Sequence, residues 1–475
     1  MLRRTATLMA VVALFAILQA SAPASPAVRQ GTPTSAGTLL TSGSPDTPAR
    51  YVIYINWDAF RNDYFDWATR PGAMPPETGY LAAPTPLGLP SLSRFVANGV
   101  RFINAYTGIP SVTTAMQTSA LAGAWPATHG NVGCYYDPLT NAAAKSGRPF
   151  YADTIVDAAR RAGLVTASVQ QFMLDGRADI YVQPGGRFER RVAETLKLFE
   201  AGLAGRAPMP QLVAIYADDL DAAGHNGIGY GTFPSFTEET WRKKMVAELV
   251  RMDTAFGTLI DGLMRLGIYE NTAIILSSDH GMTPYWGATS LPQVVSEFAK
   301  AGLKAVLVET GDQAPDNADV VMATNGLSLQ VHFRPGVSQA TMAMLTASLS
   351  AQPYVGGVLT RDELTALGAH TLTGDMFIWP TPPHHFTSGN IRFGIRANHD
   401  TRHPSSVNVF MAMGGAGIKR GVEVSAPTPI IDIAPTISQL LGIAQPLSSE
   451  GRVLWEALSA PAQTPGTSAY SIQNE

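Results

Sequence analysis

The sequence predicts an α/β fold with a mostly parallel central sheet, helices on both faces of that sheet, and an inserted, smaller α+β cap subdomain. Three features of the chain support this prediction. Continuous apolar runs rich in β-branched residues alternate with helical patterns, which is typical of parallel strands that are buried on both faces. The chain has 475 residues, of which 45% are hydrophobic and 15% are charged, so it can bury one large core or two smaller ones. Between residues 300 and 395 the alternation gives way to short strand-like pieces and one helical segment.

The first 25 residues have the features of a secretory signal peptide. Arg3 and Arg4 precede the apolar run LMAVVALFAILQA, and the small residues SAPAS follow it. The run is about a dozen residues long, which is shorter than the roughly 20 that a membrane-spanning helix needs. We therefore expect an exported protein, secreted or periplasmic, with no stable membrane span after signal cleavage. An uncleaved N-terminal anchor is the alternative.

The composition of the remaining residues indicates the boundaries between linker, domains and tail. Residues 26–49 and 459–475 are rich in small and polar residues and predict a flexible linker and a flexible tail. Between them we expect a catalytic α/β core in two parts, 50–299 and 396–458, with the cap subdomain over 300–395.

Charge and cysteine content exclude two classes of protein. The net charge is −4 and no run of basic residues occurs. Binding to a nucleic-acid backbone needs clustered Lys and Arg, so we expect no nucleic-acid partner. Cys134 is the only cysteine, which rules out a scaffold held by intrachain disulfides. Packing and metal ions must therefore stabilise the exported chain.

Individual elements follow from the periodicity. The apolar runs that predict the strands of the core are 51–57, 164–170, 211–217, 272–277 and 407–413. The clearest helix is 238–266, in which apolar residues recur every three or four positions until Gly267 ends the pattern. In the inserted stretch, one helix is expected near 338–350.

Carboxylates and imidazoles follow several of these runs: Asp58 after YVIYINW, Asp279 and His280 after TAIILSS, Asp221 and His225 within LVAIYADDLDAAGH, and His399 in GIRANHD. In open α/β sheets, ligand sites lie beyond the carboxyl ends of the strands. Aspartate and histidine are common ligands of zinc and of similar divalent metals. The sequence therefore predicts two metal sites of Asp/His type and, with them, a metallohydrolase.

In this order the motifs resemble those of the alkaline phosphatase superfamily, specifically its type I phosphodiesterase and nucleotide pyrophosphatase branch, over residues 51–455. WDAFRNDY is similar to the branch's Asp-Gly-Phe-Arg-x-Asp-Tyr opening, with Ala59 in the place of the glycine. DAAGH is similar to its Asp-x-x-Gly-His signature, and SSDHGM to its Ser-Asp-His-Gly-Met. The resemblance implies an alkaline phosphatase-like fold and a metal-dependent hydrolase that acts on small phosphate esters.

The same resemblance implies the metal ligands: Asp58, Asp279, His280 and Thr113 for one ion, and Asp221, His225 and His399 for the other. The metals of this superfamily are usually zinc, and manganese is a second option. Two such ions about 4 Å apart clamp the attacking and leaving oxygens of an in-line displacement. Some alternatives stay open. His403 competes with His399, because the branch has a glycine where Asp400 follows His399 here, and Asp218 and Asp219 compete with Asp221.

The segment IPSVTTAMQTSALAG resembles the branch's nucleophile loop, in which a threonine after Pro-Ser-x opens a helix. The matching residue is Thr113. A helix N-terminus offers backbone N–H donors and the positive end of the helix dipole to an anion. The resemblance therefore implies a phospho-threonine intermediate. Ser111, Thr114 and Thr118 are competing hydroxyls, and a cap without catalytic role is the alternative for Thr113.

Two departures from the branch bear on the substrate. The branch has a phosphate-binding asparagine where this chain has Cys134, a weak donor, and Asn131 is the residue that would replace it. Related phosphomonoesterases carry a Lys and an Arg where this chain has Gln170, Gln171 and Phe172. The absence of these two positive charges would weaken the binding of a dianionic monoester more than that of a monoanionic diester. We therefore expect phosphodiester or pyrophosphate cleavage. The alternatives are a phosphomonoesterase or phosphonate hydrolase of the same fold, and a relative that binds metal or a phosphorylated ligand without turnover.

Overall fold

The computed structural model describes residues 49–70, 88–145, 151–226 and 234–459. The predicted signal peptide, and nearly all of the predicted linker and tail, lie outside these residues. Across the described ranges, no helix combines the length and the apolar character that a membrane span requires.

The strands of the described residues are β1 Tyr51–Trp57, β2 Val100–Phe102, β3 Ala105–Tyr106, β4 Cys134–Asp137, β5 Ala142–Lys145, β6 Thr166–Val169, β7 Ile180–Val182, β8 Leu212–Ala217, β9 Thr272–Ser277, β10 Thr283–Gly287, β11 Ala305–Val308, β12 Val320–Asn325, β13 Ser328–Phe333, β14 Val355–Thr360, β15 Met376–Pro380, β16 Ile391–Asn398, β17 Met411–Gly415, β18 Val422–Val424 and β19 Thr428–Pro429.

The α-helices are α1 Asn62–Thr69, α2 Pro90–Ala97, α3 Thr113–Ala122, α4 Pro126–His129, α5 Ile155–Arg161, α6 Phe188–Leu203, α7 Asp219–Gly224, α8 Glu238–Arg265, α9 Leu291–Lys300, α10 Gln339–Ser350, α11 Arg361–Ala366, α12 Pro404–Val407 and α13 Ile433–Leu441.

The large sheet has eight strands in the order β18-β2-β17-β9-β1-β8-β6-β7. At its centre β1 pairs in parallel with β8 and with β9. On the β8 side, β6 and β7 continue the parallel arrangement. On the β9 side, β17 runs antiparallel to both of its neighbours. The prediction of a mostly parallel α/β sheet is therefore confirmed.

Helices cover both faces of this sheet because successive residues of a strand point to opposite sides. Ile53 and Ile55 of β1 pack in one core cluster with side chains from α1, α2, α6 and α8. Val52 and Tyr54 pack in a second cluster with side chains from α3, α5 and α13. All seven residues of β1 are buried. This two-sided burial is why the central strands read as continuous apolar runs.

The observed core elements lie close to the predicted ones, with one shift. The last core strand is Met411–Gly415 rather than 407–413. The strand starts later than predicted because the preceding residues, Pro404–Val407, form the short helix α12. Pro404 occupies the first position of this helix, and the His403 side chain caps it by accepting a hydrogen bond from the backbone N–H of Ser405. Proline at this position favours a helix start. The predicted helix 238–266 is confirmed as α8.

A second, five-stranded sheet has the order β11-β12-β13-β15-β14. It lies within the stretch 300–395, and α9 and α10 pack on one face through a separate apolar cluster. Its status as a cap subdomain stays a prediction. The turn between β12 and β13 contacts the large domain directly. The Leu327 N–H donates to the His399 carbonyl at 3.0 Å, and the Asn325 Oδ1 accepts from the Cys134 N–H at 3.3 Å.

Candidate functional site

The three central strands of the large sheet end at the same level. Trp57 lies beside Ala217 of β8, and Asn56 lies beside Ser277 of β9. Asp58 follows directly, and its N–H still donates to the Ala217 carbonyl at 2.8 Å. The polar residues that follow each strand are therefore brought together at one edge of the sheet.

The first cluster at this edge consists of Asp58, Asp279 and His280. One ligand atom from each residue lies within 4.8 Å of the other two. The side chains are almost completely buried. The Nε2 of His280 lies 3.2 Å from Asp58 Oδ1 and 4.0 Å from Asp279 Oδ2.

The second cluster consists of Asp221, His225 and His399, whose ligand atoms also lie within 4.8 Å of one another. The Asp221 Oδ1 is 3.2 Å from the Nε2 of His225 and 3.9 Å from the Nε2 of His399. The imidazoles of His280 and His399 stack with their centroids 3.8 Å apart. The two clusters are therefore neighbours.

All three imidazoles are oriented in the same way. The Nδ1 of His280 lies 2.9 Å from the Gly281 carbonyl, that of His225 lies 3.0 Å from the Ala397 carbonyl, and that of His399 lies 3.1 Å from the Ser111 carbonyl. A carbonyl oxygen only accepts hydrogen bonds, so each Nδ1 carries the proton. In the neutral imidazole Nε2 is then an acceptor, which is the form that binds metals.

This orientation leaves acceptors facing acceptors. The Oδ1 atoms of Asp58 and Asp221 are buried without a hydrogen-bond partner among the described residues, although an imidazole Nε2 lies 3.2 Å from each. Two ligands at about 2.0–2.1 Å from a tetrahedral zinc are about 3.3 Å apart. The spacing and the unpaired acceptors thus fit a divalent cation at each cluster.

The electrostatics of the first cluster lead to the same conclusion. Burial raises the pKa of Asp58 well above its usual value, and the carboxylates of Asp279 and Asp221 raise it further. Burial and the Asp58 carboxylate also raise the pKa of Tyr216, which therefore stays protonated and donates to Asp58 Oδ2 at 2.5 Å. Bound cations would keep Asp58 ionised against its neighbours.

Thr113 is the first residue of α3 and lies beside the first cluster, with its Oγ1 3.1 Å from His280 Nε2. The preceding residue, Val112, occupies the N-cap position and has no side chain that caps the helix. The first backbone N–H groups of a helix have no intrahelical partner. The N-terminus of α3 therefore presents donors to an anion next to the Thr113 hydroxyl.

Two side chains that the sequence analysis did not single out hold carboxylates of the first cluster in place. Tyr216 donates to Asp58, as described above. Gln117 donates from Nε2 to Asp279 Oδ2 at 3.0 Å. Gln117 is one helical turn after Thr113, so the four-residue spacing was a usable signal. Such partners orient metal ligands and tune their basicity.

The loops that carry the first cluster are bound to each other. The Phe60 N–H donates to Ser278 Oγ at 2.9 Å. The buried Arg61 donates to the Met282 carbonyl at 3.0 Å. Gly281 allows a close approach, because a Cβ there would lie 2.1 Å from the Ser405 carbonyl oxygen. These motif residues therefore hold the loops together and are not members of either cluster.

The competing ligand candidates lie elsewhere. The His403 side chain caps α12, as described above, and is not part of either cluster. Asp218 pairs with the buried Arg191 at 2.6 Å, and Asp219 pairs with Arg251. Of these three acids at the start of α7, Asp221 is the one that belongs to a cluster.

Both positions where the branch has glycine have left-handed backbone here, with φ of 62° at Ala59 and 60° at Asp400. Side chains other than glycine rarely adopt this conformation, although aspartate does so more readily than alanine. Asp400 is fully buried, and its Oδ1 accepts from the Ser111 N–H at 3.0 Å. Since the Ser111 carbonyl lies beside His399 Nδ1, Asp400 connects the segment before α3 to the second cluster.

Of the two proposed phosphate donors, Asn131 already donates within the protein, whereas Cys134 accepts a hydrogen bond. The Nδ2 of Asn131 lies 3.1 Å from the Thr114 carbonyl and 3.2 Å from Thr118 Oγ1, so its two N–H bonds have acceptors within the protein. Cys134 is half-buried, and its Sγ lies 3.6 Å from Thr310 Oγ1. The replacement of the missing asparagine by Asn131 stays a prediction, and it would require the Asn131 amide to exchange one of these acceptors for a phosphoryl oxygen.

Comparisons of this chain with a family model and with curated proteins point to the same family. A family model described as type I phosphodiesterase / nucleotide pyrophosphatase matches residues 77–326, slightly more than half of the chain. Human ectonucleotide pyrophosphatase/phosphodiesterase family member 1 is 28% identical over 209 residues, which cover 41% of this chain and 21% of that protein. The rat protein of the same name is 27% identical over 263 residues, 51% of this chain and 25% of that protein. The matched region thus spans about a fifth to a quarter of these relatives.

Solved structures share the fold. Murine ectonucleotide pyrophosphatase / phosphodiesterase 5 superimposes with a TM-score of 0.59 at 16% identity, over 83% of this chain and 96% of that one. The human protein of the same name gives a TM-score of 0.58 at 17% identity, with the same coverage. A murine variant with a Thr-to-Ala substitution, described as inactive, is in complex with AMP.

We expect Asp400→Ala to lower kcat/KM by about tenfold or more, because it removes the acceptor for the Ser111 N–H and leaves an alanine in left-handed backbone. Asp400→Asn should retain most activity, since asparagine tolerates this conformation and keeps a side-chain carbonyl. Steady-state kinetics of the two variants at saturating metal provide the measurement. Equal losses in both variants would contradict this role.

Proposed function

Because the chain belongs to the type I phosphodiesterase / nucleotide pyrophosphatase family, we propose that it is an exported, metal-dependent phosphoric ester hydrolase. It cleaves phosphodiester or pyrophosphate bonds through a phospho-threonine intermediate on Thr113. One observation carries this proposal: the Thr113 hydroxyl lies at an uncapped helix N-terminus, beside the buried Asp58 cluster, which in turn adjoins the half-buried Asp221 cluster.

The ligand sets in this proposal are those of the two clusters. Asp58, Asp279 and His280, with the Thr113 hydroxyl, would hold one ion, and the cluster around Asp221 would hold the other. Nitrogen and carboxylate donors suit zinc, with manganese as a second option. Bound ions would supply positive charge that lowers the pKa of the attacking hydroxyl and neutralises the phosphoryl group.

The protein residues then act as follows. The backbone N–H groups at the start of α3 bind non-bridging phosphoryl oxygens and place phosphorus next to Thr113 Oγ1. The Oγ1 attacks phosphorus and gives up its proton to the solvent as the bond between phosphorus and the leaving oxygen breaks. That oxygen leaves as an alcohol after taking up a proton, or as part of a phosphate when the bond is a pyrophosphate. Water then attacks the phospho-threonine, and Thr113 regains its proton as the bond to phosphorus breaks. Gln117 and Tyr216 keep the Asp279 and Asp58 carboxylates oriented throughout.

The surroundings favour a diester or pyrophosphate over a monoester. Gln170 Oε1 accepts from the Gly185 N–H at 2.8 Å, so this side chain is already used in its own loop. The Phe172 ring lies edge-on to Tyr216 with centroids 5.1 Å apart, beside the residue that contacts Asp58. The aromatic ring near the site can contact an organic group on phosphorus. The neutral glutamines offer no positive charge to the second negative charge of a phosphomonoester. The AMP complex of the murine relative supports nucleotide-like substrates for this chain as well.

A substrate panel tests the activity. We expect zinc-loaded protein to hydrolyse an aryl phosphodiester faster than the matching phosphomonoester, phosphonate ester or sulfate ester. A monoester preference would assign the phosphomonoesterase alternative, and hydrolysis of none of the four would favour a binding protein without turnover. Manganese-loaded protein in parallel distinguishes the two metal options.

Thr113 variants test the nucleophile. Thr113→Ala should reduce turnover of the preferred substrate by about three orders of magnitude, whereas Thr113→Ser should stay within about tenfold of the wild type because the hydroxyl persists. Thr114→Ala is the matched control, since it removes the adjacent hydroxyl, and should leave turnover within a fewfold. The roles of the two threonines would have to be revised if Thr114→Ala were the more damaging change.

A further inference from the structure

The turn between β12 and β13 is the part of the five-stranded sheet that contacts the candidate site. Asn325 and Ser328 pair at the ends of the two strands, so Gly326 and Leu327 form a two-residue turn. Glycine is favoured at the first position of such a turn, and Gly326 has a φ of 79°. No residue of the turn belongs to either cluster of ligands. The turn can therefore affect a metal ion only through the residues that it contacts.

The turn binds the backbone of His399 and of the residue after it. The Leu327 N–H donates to the His399 carbonyl at 3.0 Å, and the Ser328 Oγ donates to the Asp400 carbonyl. The same two residues also contact Ser111, whose carbonyl accepts from the Asp400 N–H at 3.2 Å and lies 3.1 Å from His399 Nδ1. The position of His399 is therefore fixed by two sets of contacts, one with the segment before α3 and one with the turn.

The turn approaches His399 so closely that only glycine fits at its first position. A Cβ on Gly326 would lie 2.3 Å from the His399 carbonyl oxygen and 2.9 Å from the Asp400 Cβ. Neither of these atoms is at the end of a flexible side chain, so neither can rotate away. Protein interiors are close-packed and transmit such displacements. A larger residue at this position must therefore move either the turn or His399.

Asn325 connects the same turn to a second segment of the site. Its side chain is buried, its Nδ2 donates to the Val132 carbonyl at 3.0 Å, and its Oδ1 accepts from the Cys134 N–H at 3.3 Å. Val132 follows Asn131, whose amide donates to the Thr114 carbonyl in α3. The turn is therefore bonded both to the segment that carries His399 and to the segment that contacts the helix of Thr113.

We propose that the β12–β13 turn positions His399 for the metal ion of the Asp221 cluster, so that the affinity for this ion depends on the five-stranded sheet. Gly326, Leu327 and Ser328 are the positioning residues, and none of them is a ligand. Loss of a partner that orients a metal ligand typically lowers metal affinity by about 10- to 100-fold. The inference rests on the ligand sets of the proposed function and adds a role for the inserted stretch in maintaining them.

Zinc affinities of single-site proteins test this role. His280→Ala leaves the second cluster intact, and His225→Ala leaves the first cluster intact. Adding Gly326→Ala to His280→Ala should weaken zinc binding by about 10- to 100-fold, because the His399 carbonyl and the turn must separate. Adding it to His225→Ala should change zinc binding by no more than about twofold, since the first cluster and the turn share no hydrogen bond among the described residues. Competition with a chelating indicator provides the measurement.

Gly302→Ala is the matched control for Gly326→Ala. Gly302 lies in the same inserted stretch and also has left-handed backbone, with a φ of 75°. A Cβ there would have no atom of the described residues within 4 Å, apart from its chain neighbours. The two substitutions therefore have a similar backbone cost, and only the one at Gly326 meets His399. Adding Gly302→Ala to His280→Ala should leave the zinc affinity within about twofold of its starting value.

Ser328→Ala tests the same role without adding an atom, and it decides the question if Gly326→Ala does not fold. It removes the donor to the Asp400 carbonyl. The change should weaken zinc binding to the His280→Ala protein by about two- to tenfold, as expected for the loss of one hydrogen bond. The His225→Ala protein should again be spared.

The inference is overturned if a folded Gly326→Ala protein, or Ser328→Ala in its place, leaves the zinc affinity of the His280→Ala protein unchanged. It is also overturned if the substitution weakens zinc binding equally in both single-site proteins. Because the measurement does not depend on hydrolysis, a chain that binds zinc but cleaves no phosphoester would contradict the proposed function alone. A wild-type chain that binds no zinc would overturn the proposed ligand sets and this inference with them.

Discussion

The structure depends on an excess of buried negative charge at the carboxyl edge of the large sheet. Asp58, Asp221 and Asp279 converge there, and the nearby imidazoles, while neutral, have no proton on Nε2 to donate to them, because each Nδ1 proton is directed to a backbone carbonyl. Such an arrangement is unfavourable unless cations occupy it. The three strands that end side by side, the hydrogen-bonded loops and the orienting side chains all keep these six side chains together.

The chain maintains this geometry with residues that differ from those of its branch. Left-handed backbone costs a non-glycine residue about 1–2 kcal/mol, and the chain accepts that cost at Ala59 and at Asp400. At Asp400 the side chain offsets part of it by accepting from the Ser111 N–H. The substitution that made His399 doubtful as a ligand is therefore compatible with its place in the cluster, and it adds a contact that a glycine cannot make.

Local patterns predicted much of this architecture. The buried strands and α8 followed from periodicity, and the six clustered residues followed from their position after strands together with the motif resemblance. Other features depend on contacts between distant segments, which local patterns do not contain. The partners of the histidine Nδ1 atoms are backbone carbonyls, so no residue type marks them. The sequence of β14, VGGVLT, contains two glycines and therefore carries little local signal for a strand. Asn131 was proposed as a phosphate donor because spacing could not show that its amide is bound to the Thr114 carbonyl and to Thr118.

The most direct test of this account is the metal content of the purified chain, measured by elemental analysis for the wild type, His280→Ala and His225→Ala after equilibration with zinc and removal of free metal. The account predicts two ions per wild-type chain and one ion in each variant, because each substitution removes a ligand from one cluster only. A wild-type chain that retains no ion, or variants that retain as many ions as the wild type, would contradict it.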